Sequence, residues 1–198
     1  MGGDMEHVLF PTVVHETFVD QFKIYQDDLV KFVLEEKKKD PVGVKKSNFG
    51  GWQSEWKYPT GDIFTRIIVE TISTYFSKNS IYKDMSIKLS GWWININPPG
   101  ALNNMHHHAG SDLAGVFWIK TPKDCGNINF SHPQHINEHR SLGMHTPEFV
   151  ERTGSYESWW VQPTDGSFLI FPSHLYHWVD PNESDEDRIS VSFNLNLN

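Results

Sequence analysis

"RISVSFNLNLN", residues 188–198, alternates without a break. Ile189, Val191, Phe193, Leu195 and Leu197 fall on one side of an extended chain, and Arg188, Ser190, Ser192, Asn194 and Asn196 on the other. Successive side chains of a strand point to opposite faces, so this period of two predicts one long strand with an apolar and a polar face. The arginine on the polar face demands a reason. A guanidinium turned inward is costly without an anion, so an inward Arg188 implies an internal acid or a carboxylate ligand.

Working back along the chain, the pattern stays strand-like as far as Ser86. "TDGSFLIF" (164–171) is a turn entering a strand, and "WWVQP" (159–163) and "NINF" (127–130) are shorter candidates. "LAGVFWIK" (113–120) is apolar on both faces, as a central strand would be. In "SIKLSGWWININ" (86–97), Ile94 and Ile96 face one side and Asn95 and Asn97 the other, and "PPG" (98–100) makes a turn.

The N-terminal part reads as helical. In "ETFVDQFKIYQDDLVKFVLEEKKK" (16–39), Phe18, Phe22, Tyr25, Leu29 and Phe32 recur at spacings of three and four. "DIFTRIIVETISTYFSKN" (62–79) repeats the pattern through Phe64, Ile67, Ile68, Ile72 and Tyr75, with Asp62 as a helix cap. A loop rich in Gly, Pro and Ser joins the two. Within it, "SNFGGWQS" (47–54) carries a Gly-Gly that suggests a close backbone approach.

Helices followed by six or more strands predict a mainly β fold with flanking helices, an antiparallel sandwich or barrel such as a jelly roll. We expect a single domain over 1–198, with 1–85 mainly helical and 86–198 forming the jelly-roll core. The chain has 198 residues, enough for one domain with a proper core. The stretch from Ser131 to Ser158 shows little periodicity and is expected to be a lid. Its histidines, His132, His135, His139 and His145, hint at a helical face that Pro133 interrupts.

The net charge is −8, and the densest basic run, Lys37–Lys39, is flanked by Glu35, Glu36 and Asp40. That argues for a solvated linker and against a nucleic-acid partner. Cys125 is the only cysteine, so no internal disulfide and no cysteine-based zinc ribbon can form. The first residues lack a secretory pattern and no run suits a membrane span, so a soluble cytoplasmic protein without membrane contact is expected. A homodimer is among the assemblies this reading allows.

The chemistry concentrates in "NNMHHHAGSDLAG" (103–115). In an extended segment, residues i and i+2 point the same way, so His106 and His108 can bind one ion while His107 points away. A surface loop of polar histidines is the plainer alternative for this triplet alone. His177 tips the balance: it follows an apolar strand, in a loop ending at Pro181, and Arg188 comes eleven positions later with Ser190 two residues beyond. The ion would sit near one end of the barrel and the guanidinium deeper, ready for a carboxylate in a two-pronged grip.

Histidine pair, distal histidine and Arg-x-Ser resemble the signature of iron(II)- and 2-oxoglutarate-dependent oxygenases. "HHHAGSDLAG" (106–115), "SNFGGWQS", "DGSFLIFPS" (165–173) and "ESDEDRISVSFN" (183–194) are similar to bacterial and phage oxygenases with a His-x-His-Pro-Gly-Ser-x-Leu-Ser-Gly core. The resemblance spans nearly the whole chain. It implies a double-stranded β-helix of the cupin-like kind and a dioxygenase using Fe(II), O2 and 2-oxoglutarate, with hydroxylation of a small-molecule or peptide substrate as the default outcome. It also implies His106 and His177 as metal ligands, with Arg188 and Ser190 on the far carboxylate of 2-oxoglutarate. Asn95 is a further candidate contact to the cosubstrate.

The family usually places a carboxylate where this chain has His108, so His108 and Asp112 compete as the third ligand. His108 is the expected one, because Asp112 lies beyond "AGS" and can equally cap a turn. Two other classes compete: a three-histidine zinc hydrolase or lyase, which would not need the Arg–Ser pair, and a non-catalytic cupin-like binding module. Trp118 is expected in the core.

Overall fold

The alternation over 188–197 becomes a strand with no solvent-facing side. A computed structural model of the protein describes residues 11–79, 81–134 and 145–198. In chain order the elements are β1 (His15–Phe18), α1 (Phe22–Lys39), β2 (Asn48–Phe49), β3 (Trp52–Gln53), α2 (Ile63–Asn79), β4 (Ile87–Asn97), β5 (Leu102–His106) and β6 (Leu113–Lys120). They continue as β7 (Ile128–Ser131), α3 (Pro147–Thr153), β8 (Ser158–Val161), β9 (Ser167–Pro172), β10 (His177–Val179) and β11 (Arg188–Leu197).

The strands form two antiparallel sheets, one ordered β1-β9-β6-β11-β4-β3 and the other β2-β5-β10-β7-β8. This is the double-stranded β-helix expected of the sequence. β11 lies centrally in the larger sheet, between β4 and β6. Its apolar side packs into a core with α1 and α2, where Ile189, Val191, Phe193 and Leu195 meet Leu29, Val33, Phe64, Ile68 and Phe76. Its polar side turns between the sheets. There a second core, which includes Val116, Trp118, Ile128, Phe130, Phe171 and Val179, fills the rest of the barrel. The helices thus act as an outer lining for the larger sheet. The apolar half of the alternation marks the sheet's outer face, and the polar half marks the cavity.

The second helix follows its pattern. Asp62 accepts the backbone N–H of Thr65 at 2.8 Å, the expected cap. Phe64, Ile68 and Ile72 are buried, with Phe76 joining them.

The first helix is shorter than expected. His15–Phe18 is instead an edge strand paired with β9, and Gln21 adopts a left-handed conformation (φ 53°) where strand turns to helix. Phe18 and Tyr25 are exposed as a result, and the helix buries Phe22, Leu29 and Val33. A four-residue edge strand carries too few alternations to compete with an overlapping helical pattern. The N-terminal part therefore supplies β1, β2 and β3 as well as two helices, and the larger sheet runs across the expected boundary at residue 85.

Lys37–Lys39 is also not a linker. It forms the last turn of α1, where cations suit the helix dipole, and Glu36 bridges Lys39 and Lys57 at 2.7 Å each. The Gly-Gly of residues 50–51 marks a tight approach, as expected. Gly50 has φ 73°, and a Cβ on Gly51 would come within 2.9 Å of the Ile96 carbonyl oxygen. In the expected lid, Thr146 caps α3, while His135 and His139 lie outside the described residues. Among the described residues no helix is long and apolar enough to cross a membrane.

Candidate metal centre and cosubstrate cavity

β5 and β10 set the histidines against each other. His106 ends β5 and lies directly opposite His177, which opens β10. The expected loop at His177 is therefore a short strand, whose pairing with β5 and β7 holds the imidazole in place. Phe130 and Phe171 flank its ring, and the residue is buried. His108 lies just past β5, where its backbone N–H donates to the Ser173 carbonyl at 2.9 Å. The three rings approach with centroids 4.3, 5.1 and 5.3 Å apart. Each offers a ring nitrogen within 4.8 Å of the others.

Hydrogen bonds decide which nitrogen is free. Nδ1 of His106 donates to the Asn104 carbonyl at 2.7 Å, and Nδ1 of His177 to the Leu175 carbonyl at 2.9 Å. Nδ1 of His108 donates to Oδ1 of Asn194 at 2.6 Å. Carbonyl oxygens only accept, so all three protons sit on Nδ1 and each Nε2 keeps its lone pair. Burial favours the neutral forms: it pushes His177 down to about 3 and His108 to about 4, and lowers His106 as well. Three neutral imidazoles with oriented outer nitrogens are a donor set for a divalent transition metal.

His107 points elsewhere, exposed and edge-on to Tyr176. Asp112 turns its carboxylate to the backbone N–H of Leu197 at 2.8 Å, closing the end of β11. Of the histidines in 131–158, the described ones, His132 and His145, join no metal-ligand cluster among the described residues.

Below the imidazoles a narrow cavity runs between the sheets, and Asn95, Ser190 and Arg188 line it together with the three histidines. Every sequence-predicted site residue thus reaches one cavity. Arg188 is the deepest of them, 1 % exposed. Its Nη1 donates to the backbone carbonyls of Cys125 and Asp180, which anchors one edge of the guanidinium. The other edge, Nε and Nη2, is buried with no partner. No carboxylate pairs with it among the described residues, and burial lowers its pKa to about 10, so it stays charged at neutral pH. An unpaired cation with a free two-pronged edge is shaped for a carboxylate. The cavity therefore fits an anionic cosubstrate as the histidines fit a metal.

Two residues escaped the sequence reading. Asn194, which orients His108, was visible as a polar position on β11, but its partner lies 86 positions away. Trp118 does sit among apolar neighbours, yet it also lines the cavity with its indole nitrogen unpartnered. Nothing local separates it from an ordinary core tryptophan.

A model of the 2OG-Fe(II) oxygenase family matches residues 91–194. No curated protein sequence matches the chain. Among solved structures, a Pseudomonas putida prolyl-4-hydroxylase is similar at TM-score 0.61 and 13% identity, over 91% of each chain. The carbocyclase SnoK of nogalamycin biosynthesis, α-ketoglutarate dependent, reaches TM-score 0.65 at 12% identity, over 92% of this chain and 78% of its own. HygX from Streptomyces hygroscopicus, solved with nickel, 2-oxoglutarate and hygromycin B, reaches 0.60 at 10%, over 93% and 83%. At such identities these likenesses speak for the fold.

Proposed function

The chain belongs to the iron(II)- and 2-oxoglutarate-dependent oxygenases, and we propose that His106, His108 and His177 hold the iron while Arg188, Ser190 and Asn95 receive 2-oxoglutarate. The observation that carries the assignment is the meeting, in one cavity, of three Nε2 lone pairs and an unpartnered guanidinium edge. When bound, iron and 2-oxoglutarate would supply the oxidising chemistry, in which O2 and 2-oxoglutarate go to succinate, CO2 and a hydroxylated substrate.

The chain's own residues do the rest. The Nδ1 hydrogen bonds hold the imidazoles in the tautomer that presents Nε2. Three neutral ligands leave the site without the negative charge of the usual carboxylate, which favours an anionic keto acid as the remaining ligand. Arg188, held by two backbone carbonyls, fixes the far carboxylate at the closed end of the cavity. Val116, Ile128 and Phe171 give the cavity apolar walls that limit the water it admits.

The substrate, a small molecule or a peptide, approaches from outside. A surface groove shares Trp93, His106 and His108 with the inner cavity and is lined further by Trp56, Tyr58 and Met105. Trp56 stacks on Trp93, with centroids 5.5 Å apart and planes 24° apart, making a flat aromatic wall beside His108. Specificity resides in this groove.

A zinc hydrolase or lyase would leave the free edge of Arg188 unexplained. Protein purified without oxygen should carry iron, and when O2 and a reductant such as ascorbate are then admitted with 2-oxoglutarate but no substrate, it should form succinate slowly. Iron-loaded protein that neither binds 2-oxoglutarate nor forms succinate would rule the assignment out.

A further inference from the structure

We infer that the indole N–H of Trp118 is a donor to the far carboxylate of 2-oxoglutarate, a positioning residue beside Arg188; the inference rests on the assignment of the cavity to that cosubstrate.

The register places it there. Ser190 on β11 lies opposite Asn95 on β4 and opposite Trp118 on β6. Residues directly opposite across antiparallel strands share a face, so Asn95, Ser190 and Trp118 form one row across three strands of the cavity wall. Arg188 is two residues along β11 on the same face. The alternation on β6 agrees: Val116 and Trp118 face the cavity, while Phe117 and Ile119 face the helices.

The hydrogen bonding points the same way. Among the described residues, seven buried side-chain polar atoms have no partner. Four of them, Trp118 Nε1, Arg188 Nε and Nη2, and Asn95 Oδ1, belong to three residues that line this one cavity. Buried polar groups are otherwise almost always satisfied, so a cluster of orphans marks the place of a missing ligand. Three of the four are donors. A carboxylate, which only accepts and has about four lone-pair directions, would satisfy all three. Trp118 is 1 % exposed, so bulk water is not its partner.

Asn95 fits the same ligand after a turn of its amide. Its Nδ2 now lies 3.0 Å from Ser192 Oγ. A hydroxyl can donate or accept, so Ser192 is equally satisfied by Oδ1, and the turned amide would offer its N–H to the cavity.

The test uses full-length protein loaded with zinc, which binds the same ligands without turnover, and follows indole N–H resonances by NMR. The resonance missing from the Trp118→Phe spectrum is that of Trp118. In the wild type it should move downfield on adding 2-oxoglutarate and stay in place with 2-oxopentanoate, which keeps the keto acid but lacks the far carboxylate. Trp118→Phe should bind 2-oxoglutarate about ten- to a hundred-fold more weakly, the range of a hydrogen bond to a charged group, with zinc affinity unchanged.

Wild-type binding matched by Trp118→Phe, or a resonance that answers both keto acids alike, overturns the inference and leaves the cavity assignment standing. A wild type that binds no 2-oxoglutarate overturns both. Should Trp118→Phe not fold, assignment of the wild-type resonance by through-bond connectivity leaves the comparison of the two keto acids decisive.

Discussion

Asn194 accepts the Nδ1 proton of His108 across 2.6 Å, joining the last strand to the end of β5. The bond fixes both the tautomer and the tilt of the His108 imidazole, the one we propose as the third metal ligand. Asn194→Leu removes the acceptor and should weaken metal binding about 10–100-fold, the usual cost of losing an outer partner of a metal-bound histidine. Asn194→Asp keeps the acceptor and should retain affinity. Equal loss in both would mean that Asn194 acts by packing alone, and a competitive metal titration separates the cases.

The identity of the third ligand can be read from metal content. His108→Ala should come out empty, as should His106→Ala and His177→Ala. His107→Ala should stay loaded, since its ring lies against Tyr176. Asp112→Ala should also stay loaded while losing about 1 kcal/mol of stability with its hydrogen bond to Leu197. An empty Asp112→Ala protein would return the site to the two-histidine, one-carboxylate pattern.

Arg188→Lys should separate cosubstrate from metal. The ammonium keeps the charge but loses the planar edge and its fit to the two carbonyls, so 2-oxoglutarate affinity should fall at least ten-fold with metal content intact. The effect is visible without turnover. In the wild type, cosubstrate at 100 times its Kd should raise stability by about 2.7 kcal/mol, and the variant at the same concentration should gain far less.

Acid should destabilise the metal-free protein before its carboxylates titrate. Burial holds His177 at about 3 and His108 at about 4, against 6.5 in the unfolded chain. Above pH 6.5 both states are neutral and the folded form carries no penalty. As the pH falls below 6.5 the unfolded state takes up protons that the folded state refuses, so stability drops, and the drop continues until the folded pKa values are reached. Carboxylates that partners hold low, such as Glu36 beside Lys39 and Lys57, lose their contribution at more acid pH. The thermal midpoint should therefore fall between pH 6.5 and 5, and less steeply in His177→Ala. A flat profile over that window would mean that the imidazoles are not held neutral.

One position tests the outer core. A Cβ on Gly115 would lie 2.1 Å from the Phe193 ring and 2.7 Å from the Leu169 carbonyl oxygen. Gly115→Ala should cost about 1–3 kcal/mol in chemical denaturation, because neither the central sheet nor the ring under the helices can yield freely.

Much of this architecture is written locally. The period of two in 188–197 and in 94–97, the spacing of Phe64, Ile68 and Ile72, the cap at Asp62 and the shared direction of His106 and His108 each depend on residues within a turn or two. Backbone geometry alone converts them into strands, a helix and a pair of imidazoles that share one side of the chain. β1 and β10 were hidden because four and three residues carry almost no periodicity, and their pairing partners lie far along the chain.

The alternation of β11 showed that its two faces differ, but not that the polar one is the interior. That follows from two helices covering the apolar side and a second sheet enclosing the other. The same closure brings His177 onto His106, Asn194 onto His108, and Trp118 into line with Ser190. Sequence determined which side chains each strand presents, because that is fixed by the alternation of the backbone. Only the tertiary structure decided what each one meets, because a partner's position depends on how distant strands register and close.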